Sequence, residues 1–256
     1  HEVAMQQRFE REMEVARDIQ ASFLPDACPR VPGWEMCSFW RAARQVGGDF
    51  YDFIPLRSHE GRERWGLVIA DVADKGVPAA LYMALSRTLL RSVAISRVSP
   101  ASTLARVNEL ILSDARSDQF VTVFYAVWEP ATGSLRYANG GHNPPVWANA
   151  AGEVRKLAGR GTALGVLDSV QYEEHEIHLQ PGDSLLLFTD GLTDAVNANV
   201  EEFGLRRVFE VMSMAYPYSA TEILDMMASA VQSHVGAMEA FDDLTMVVLK
   251  RVTRDG

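Results

Sequence analysis

The chain has 256 residues, of which 48% are hydrophobic, and 34 acidic against 24 basic residues give it a formal net charge of −10. This length is enough for one large core or two small ones. The acidic balance and the lack of a basic patch argue against a nucleic-acid partner, and no uncharged apolar run is long enough to predict a membrane span. Cys28 and Cys37 lack the spacing of a zinc site or a disulfide framework, and no secretory signal is evident, so we expect a cytoplasmic protein.

The first element is a predicted helix over residues 2–24, which Pro25 ends. Its apolar residues recur at gaps of four, three, three and four and form one stripe of Phe9, Met13, Ala16, Ile19 and Phe23. The stripe fits either a helix laid on its own domain or a coiled-coil-like connector that pairs two subunits. We favour the connector, and we expect a linker helix in residues 1–25, a single globular domain in residues 26–256, an upstream sensor domain on the same chain and a homodimer through the helix.

Beyond residue 25, strands and helices are predicted in groups rather than in single alternation. Strands are predicted at 34–43, 49–56 and 64–72, with a hairpin loop at Ser58–Glu63, and then again at 120–129, 134–139, 144–149, 171–179, 183–189 and 243–251. Helix pairs are predicted at 76–97 with 100–116, and at 204–215 with 219–236. Because regular β-α-β alternation is absent, we predict an α+β fold in which two antiparallel sheets pack face to face with helix pairs outside.

Aspartates stand at or just past the ends of several of these apolar runs. The segments are Val46-Gly-Gly-Asp-Phe-Tyr-Asp52, Val68-Ile-Ala-Asp-Val-Ala-Asp-Lys-Gly76, Leu185-Leu-Leu-Phe-Thr-Asp-Gly191 and Asp242-Asp-Leu-Thr-Met-Val-Val-Leu249. Any one of them could be a turn former or a helix N-cap, but a carboxylate next to a core strand needs a compensating partner. Oxygen ligands without nearby Cys or His suit Mg²⁺ or Mn²⁺. The pattern therefore predicts metal-assisted chemistry on a phosphate.

Other catalytic arrangements are not indicated. His142, in Asn139-Gly-Gly-His-Asn-Pro-Pro145, has no acidic partner at the spacing of a triad, and we interpret it as a structural or substrate-adjacent loop residue. The chain also lacks a GxxxxGK[ST] loop, which argues against nucleotide hydrolysis of the P-loop kind.

Taken together, the motifs resemble the catalytic domain of the metal-dependent PPM (type 2C) protein serine/threonine phosphatases, and within that family the bacterial sporulation-stage-II-E/RsbU branch. The matching segments extend over about residues 35–250 and include, besides the aspartate motifs, Ala70–Ala80, Leu164-Gly165, Pro181-Gly-Asp183, Phe188–Asp194 and Glu202-Phe-Gly204. The resemblance implies a four-layer α-β-β-α sandwich with two Mn²⁺ or Mg²⁺ ions at one end of the sheets.

The resemblance also implies a role for individual residues. Asp49 would bind one ion, Asp71 would bridge both ions with help from the Val72 backbone carbonyl, and Asp190 with Asp242 or Asp243 would bind the other. Asp242 matches the family ligand better, but the choice between the last two stays open. Arg44 stands five residues before the first metal aspartate, the spacing of a phosphate-binding arginine in eukaryotic relatives. The remaining aspartates are interpreted as turn or outer-shell residues: Asp52, Asp74, Asp183 and Asp194.

The function implied by the resemblance is hydrolysis of phosphoserine or phosphothreonine through a metal-activated water. The implied substrate is a phosphorylated anti-sigma-factor antagonist of the STAS type, in a bacterial partner-switching pathway. Two alternatives remain: a non-catalytic regulatory binding module of the same fold, and a phosphatase for small phosphoesters. The predicted helix at 76–97 follows Asp71 closely, so a sensor that moved this helix through the connector could control the metal site.

Overall fold

The computed structural model describes residues 2–96, 99–114, 119–238 and 242–253. Its helices are α1 Glu2–Phe23, α2 Val77–Ser96, α3 Pro100–Asp114, α4 Asp190–Thr193, α5 Gly204–Ser213 and α6 Ala220–Val235. Its strands are β1 Trp34–Arg41, β2 Phe50–His59, β3 Arg62–Val72, β4 Val121–Glu129, β5 Ser134–Gly140, β6 Val146–Ala148, β7 Val154–Lys156, β8 Glu174–His178, β9 Ser184–Phe188 and β10 Leu244–Arg251. None of the helices in this part of the chain has the length and apolar character that crossing a membrane requires.

The strands form two five-stranded sheets. Sheet A has the order β1-β10-β9-β6-β7, and sheet B has the order β2-β3-β4-β5-β8. Neighbouring strands are antiparallel in both sheets. The predicted α+β architecture with two antiparallel sheets is therefore confirmed.

Alternation along β10 shows how the core is divided. Val247 and Leu249 belong to the core that includes the side chains of sheet B, whereas Met246 and Val248 pack with residues of α5 and α6. A strand with apolar residues on both faces is expected where both faces are covered. Helices α2 and α3 contact sheet B, and α5 and α6 contact sheet A, so each sheet has the helix pair that the sequence predicts.

Several local details differ from the sequence prediction. The predicted hairpin between β2 and β3 is present, but its loop is shorter than the predicted Ser58–Glu63, because the strands continue to a two-residue turn at Glu60 and Gly61, whose φ values of 51° and 76° suit a tight hairpin. The short elements β7 and α4 were not predicted, and the strand predicted at 171–179 begins only at Glu174. Residues 97, 115 and 116, the predicted ends of two helices, lie outside the described residues.

The predicted apolar stripe of helix α1 is only partly buried against the domain. Met13 and Ala16 are half-buried and Gln20 is buried, but Phe9 and Ile19 are 61% and 53% exposed. The side of the helix that contacts the domain is therefore rotated away from the stripe, and part of the stripe stays open to solvent.

Helix α2 is attached to sheet B by a buried ion pair. Asp52 is buried within β2, where its carboxylate lies 3.0 Å from the Arg87 guanidinium and 2.7 Å from that of Arg91. We predicted Asp52 as a turn or outer-shell residue, and its position inside β2 rules out the turn. The interaction fixes α2 against the strand that begins next to Asp49.

Candidate active site

The candidate site lies where four strands begin or end. Asp49 precedes β2, Asp71 is the penultimate residue of β3, Asp190 follows the end of β9, and Asp243 directly precedes β10. In sheet B, Phe50 pairs with Ala70, and in sheet A, Met246 pairs with Phe188, so these ends lie on one edge of each sheet. The five predicted carboxylates therefore converge from both sheets: Asp49, Asp71, Asp190, Asp242 and Asp243.

Asp49 joins the edges of the two sheets. One of its carboxylate oxygens, Oδ2, accepts hydrogen bonds of 2.7 Å from both the Thr189 hydroxyl, directly after β9, and the Thr245 hydroxyl in β10 of sheet A. Burial raises the pKa of Asp49 well above its ordinary value, and the charge of Asp71 raises it further, whereas the two hydroxyls act in the opposite direction. Among the described residues, the hydroxyl donors that hold this buried carboxylate are neutral.

Asp71 and Asp190 also have raised pKa values, because they are buried and neighbouring carboxylates surround them. Burial, followed by the charges of Asp190 and Asp242, raises the pKa of Asp71 to about 7. Burial, followed by the charge of Asp242, also raises the pKa of Asp190. Because carboxylates that repel one another favour protonation, a cation among them would restore the charged forms.

The members of the Asp242–Asp243 pair have different surroundings. Both carboxylate oxygens of Asp243 accept backbone hydrogen bonds, from the Ala43 amide at 2.8 Å and from the Gly48 amide at 2.7 Å. The Asp242 carboxylate instead accepts a hydrogen bond of 2.8 Å from the Lys75 ammonium. Asp243 therefore organises the loop formed by residues 42–48, whereas Asp242 is paired with a cation.

The donor set fits hard divalent cations. Every candidate ligand offers oxygen, which Mg²⁺ and Mn²⁺ prefer, and a Cβ on Gly48 would lie only 2.8 Å from the Val72 carbonyl oxygen, so the 42–48 loop approaches this strand end closely. Among the described residues, no three ligating side chains have closed around a common point. The reason is visible in the contacts, since Asp49, Asp242 and Asp243 are each turned toward a hydrogen-bond donor of the protein.

Arg44 is the one predicted site residue that the structure does not bring to the carboxylates. It lies exposed in the 42–48 loop, and no contact recorded between described residues joins its side chain to any of the five aspartates. The backbone on either side of it, at Ala43 and Gly48, is nevertheless held by Asp243.

Helix α1 reaches the same loop through Gln20. The Gln20 amide donates a hydrogen bond of 2.5 Å to the Gly47 carbonyl, and the Gly47 amide donates one of 3.0 Å back to Gln20. The Gln20 side chain is buried, and a Cβ on Gly47 would collide with the Asp243 carboxylate. The position of α1 is therefore coupled directly to the backbone two residues before Asp49.

His142 connects the two sheets behind the carboxylates. Its Nε2 lies 3.1 Å from the Phe188 carbonyl of β9, and its Nδ1 lies 2.9 Å from the Thr122 hydroxyl of β4. Because a carbonyl only accepts, Nε2 carries the proton and Nδ1 accepts from Thr122. Burial lowers the pKa of His142 to about 4. Thr122 is the cross-strand partner of Asp71, and Phe188 lies two residues before Asp190. The neutral ring therefore helps to set the distance between Asp71 and Asp190.

Sequence reasoning missed several residues that support the site: Gln20, Lys75, Thr122, Thr189 and Thr245. Thr189 and Thr245 carried a usable signal, because each is a hydroxyl residue within two positions of a candidate ligand in an apolar run. His142 was predicted to be either a structural residue or a substrate-adjacent loop residue, and its buried contacts support the structural role. Gln20 carried no such signal, because its partner lies 27 residues away.

Comparisons with known proteins give the family and the fold to which this chain is similar. The family model described as Stage II sporulation protein E (SpoIIE) matches residues 61–252. Protein IcfG of Synechocystis sp. is 32% identical over 268 residues, covering 94% of this chain and 41% of IcfG. Phosphoserine phosphatase RsbU of Bacillus subtilis is 27% identical over 250 residues, covering 96% of this chain and 72% of RsbU. The solved SiaA-PP2C domain of Pseudomonas aeruginosa has a TM-score of 0.83 at 24% identity, covering 96% of this chain and 98% of that domain.

The matched region contains four of the five aspartates and begins after Asp49. The similarity to the SiaA-PP2C domain concerns the fold. The chain spans less than half the length of IcfG and most of the length of RsbU.

We expect acidification to remove stability through His142. An unfolded histidine has a pKa of about 6.5, whereas the buried ring has a pKa of about 4. Because the unfolded chain binds more protons between these values, this contribution is complete above about pH 6.5 and is lost as the pH falls toward 4, about 3 kcal/mol in all. Urea unfolding across this range measures it.

The control is His142→Gln, whose amide can donate to Phe188 and accept from Thr122 but does not titrate. The difference in unfolding free energy between the two proteins should narrow as the pH falls. Parallel pH profiles for the wild type and the variant would contradict the assigned role.

Proposed function

This chain belongs to the SpoIIE family of bacterial PPM-type protein serine/threonine phosphatases, and on that premise we propose that it hydrolyses phosphoserine or phosphothreonine in a protein substrate with the help of divalent metal ions. The observation that carries the proposal is the convergence of five carboxylates from both sheets, in which burial and mutual repulsion raise the pKa values of Asp49, Asp71 and Asp190. Divalent cations bound among these carboxylates would offset their repulsion and keep them charged.

The proposed ligands follow the sequence assignment. Asp49, Asp71 and the Val72 carbonyl would hold one Mn²⁺ or Mg²⁺ ion, and Asp71, Asp190 and Asp242 would hold a second. We prefer Asp242 to Asp243 as a ligand, because the two oxygens of Asp243 hold the 42–48 loop. Asp242 accepts from the adjacent Asp243 amide and from the Lys75 ammonium, a cation that a metal ion could replace. In this proposal Asp243 positions the 42–48 loop.

When bound, divalent ions in such a site lower the pKa of water and offset charge on phosphoryl oxygens. The residues of the chain position these ligands. Thr189 and Thr245 fix the orientation of the Asp49 carboxylate. His142 connects Thr122, the cross-strand partner of Asp71, to Phe188, two residues before Asp190. The partly buried edge restricts water around the reacting group, which strengthens electrostatic interactions there.

We infer that the substrate is a phosphorylated anti-sigma-factor antagonist of the STAS type, in a cytoplasmic partner-switching pathway of sigma-factor regulation. The support is membership in the family together with the similarity to RsbU, a phosphoserine phosphatase by name. A small-phosphoester phosphatase and a non-catalytic binding module are the alternatives, and the retained carboxylate set argues against the second.

We also infer that α1 is a connector to an upstream sensor and pairs two subunits. The predicted stripe of Phe9, Met13, Ala16, Ile19 and Phe23 is the seam that we expect in this pairing. Phe9 and Ile19 are mostly exposed in the single chain. Because Gln20 of the same helix binds Gly47, pairing of two such helices could be transmitted to the metal site.

Replacement of single candidate ligands tests the activity. Asp71→Asn and Asp190→Asn should each reduce Mn²⁺-dependent hydrolysis of a phosphoserine protein by roughly a hundredfold or more, because an amide is a poor ligand for a hard cation. Circular dichroism should show that both variants fold, and Asp225→Asn, at an exposed position on α6, should keep full activity.

The assay uses p-nitrophenyl phosphate and a panel of phosphoproteins, each with and without Mn²⁺. Full Mn²⁺-dependent turnover by both variants would overturn the ligand assignment. If the wild type hydrolyses p-nitrophenyl phosphate but none of the phosphoproteins, the small-phosphoester alternative is favoured. If it hydrolyses neither kind of substrate, the binding module is favoured.

The role of α1 predicts two separable effects. The double variant Phe9→Glu with Ile19→Glu should be monomeric in sedimentation velocity, because it places like charges along the seam. Gln20→Ala should remain dimeric but bind Mn²⁺ about tenfold more weakly in titration calorimetry, because the loop before Asp49 loses its anchor. Gln7→Ala, an exposed glutamine of the same helix, is the matched control and should change neither property.

A dimer that survives the double variant, or unchanged Mn²⁺ affinity in Gln20→Ala, would contradict the corresponding part of the proposal.

A further inference from the structure

A phosphatase site made of aspartates needs a group that attracts the anionic substrate, beyond the charge its metal ions supply. Lys75 is the basic residue that the structure shows in contact with a candidate ligand: its ammonium donates to the Asp242 carboxylate at 2.8 Å. The charge of Lys75 also lowers the pKa of Asp190, against the larger effects of burial and neighbouring carboxylates. The ammonium therefore lies on the Asp190–Asp242 side of the carboxylate cluster.

The backbone around Lys75 is unusual. Asp74, a non-glycine residue, has a φ of 87°, and Gly76 has a φ of 77°, so left-handed residues stand on both sides of Lys75. The Lys75 amide is held by the Asp74 carboxylate at 2.8 Å. A non-glycine residue in this region costs about 1 kcal/mol or more, and such strain is concentrated at functional sites. The strained turn joins the end of β3 to the start of α2 and directs Lys75 toward Asp242.

The ion pair is suited to exchange. The Lys75 and Asp242 side chains are 34% and 32% exposed, and partly exposed ion pairs contribute little net stability. When Asp242 turns to a divalent ion, the ammonium loses this partner while remaining at the same mouth of the site. A lysine ammonium is a compact cation with three donors and is well suited to phosphate oxygens.

We propose that Lys75 binds the phosphate group of the substrate during catalysis, and that its contact with Asp242 is the position it occupies between turnovers. The inference rests on the proposed phosphatase function and deepens it. It assigns to Lys75 the role that sequence spacing gave to Arg44, whose side chain is exposed and joined to none of the five carboxylates in the described contacts.

The test measures phosphate binding separately from turnover. Inorganic phosphate is the probe, and its affinity for the Mn²⁺-loaded full chain is followed by ³¹P line broadening and by inhibition of p-nitrophenyl phosphate hydrolysis. Lys75→Met should weaken phosphate binding roughly tenfold, the size expected for one hydrogen bond to a charged group. Its KM for a phosphoprotein should rise more than its kcat falls, and Lys75→Arg should restore most of the affinity.

Mn²⁺ affinity from titration calorimetry distinguishes this role from a structural one. Lys75→Met should bind Mn²⁺ as tightly as the wild type or more tightly, because the competing ammonium is gone. Lys156→Met, at an exposed position on the edge strand β7, is the matched control and should change neither affinity.

Three results would overturn the inference: unchanged phosphate affinity in Lys75→Met, a tenfold loss of Mn²⁺ affinity in that variant, or a loss of phosphate binding in Arg44→Met in place of Lys75→Met. Failure of the proposed function gives a different result, in which the wild type releases no phosphate from any phosphoester although its phosphate binding still depends on Lys75.

Discussion

The arrangement of this protein depends on keeping several negative charges close together at a partly buried edge. Burial disfavours a charged carboxylate and each neighbouring carboxylate disfavours it further, which is why the pKa values of Asp49, Asp71 and Asp190 are raised. Hydroxyls, backbone amides and one ammonium relieve part of the repulsion. The remainder is the electrostatic basis of a site for divalent cations.

The aspartates, whose burial and mutual repulsion are unfavourable, are supplied by separate elements of the fold. Sheet B supplies Asp49 and Asp71, sheet A supplies Asp190 and Asp243, and the apolar strands behind them anchor each position in a packed core. Two buried polar contacts set the distances: His142 between the sheets and Gln20 between α1 and the 42–48 loop. Because these hydrogen bonds are directional, we expect that a movement of α1 or of either sheet would change the distances between the candidate ligands.

Much of this was predictable, because apolar runs and the aspartates at their ends are local patterns. The two-sheet architecture, the helix pairs and the convergence of Asp49, Asp71, Asp190, Asp242 and Asp243 follow from the sequence and the resemblance. The contacts of Gln20 with Gly47, of Lys75 with Asp242 and of His142 with Phe188 do not, because they join residues between 27 and 167 positions apart. The hairpin between β2 and β3 was predicted, but its turn at Glu60 and Gly61 is shorter than the predicted loop, because the polar residues around it resembled a longer one.

The central claim is that Asp49, Asp71, Asp190 and Asp242 bind two divalent ions, with Asp243 positioning the loop beside them. It is tested most directly by the anomalous difference density of a crystal of this chain grown with Mn²⁺. The account predicts two peaks roughly 3.5–4 Å apart, one against Asp49 and Asp71 and the other against Asp71, Asp190 and Asp242, with Lys75 moved away from Asp242. Density that shows no manganese at this edge, with Asp242 still paired to Lys75, would contradict it.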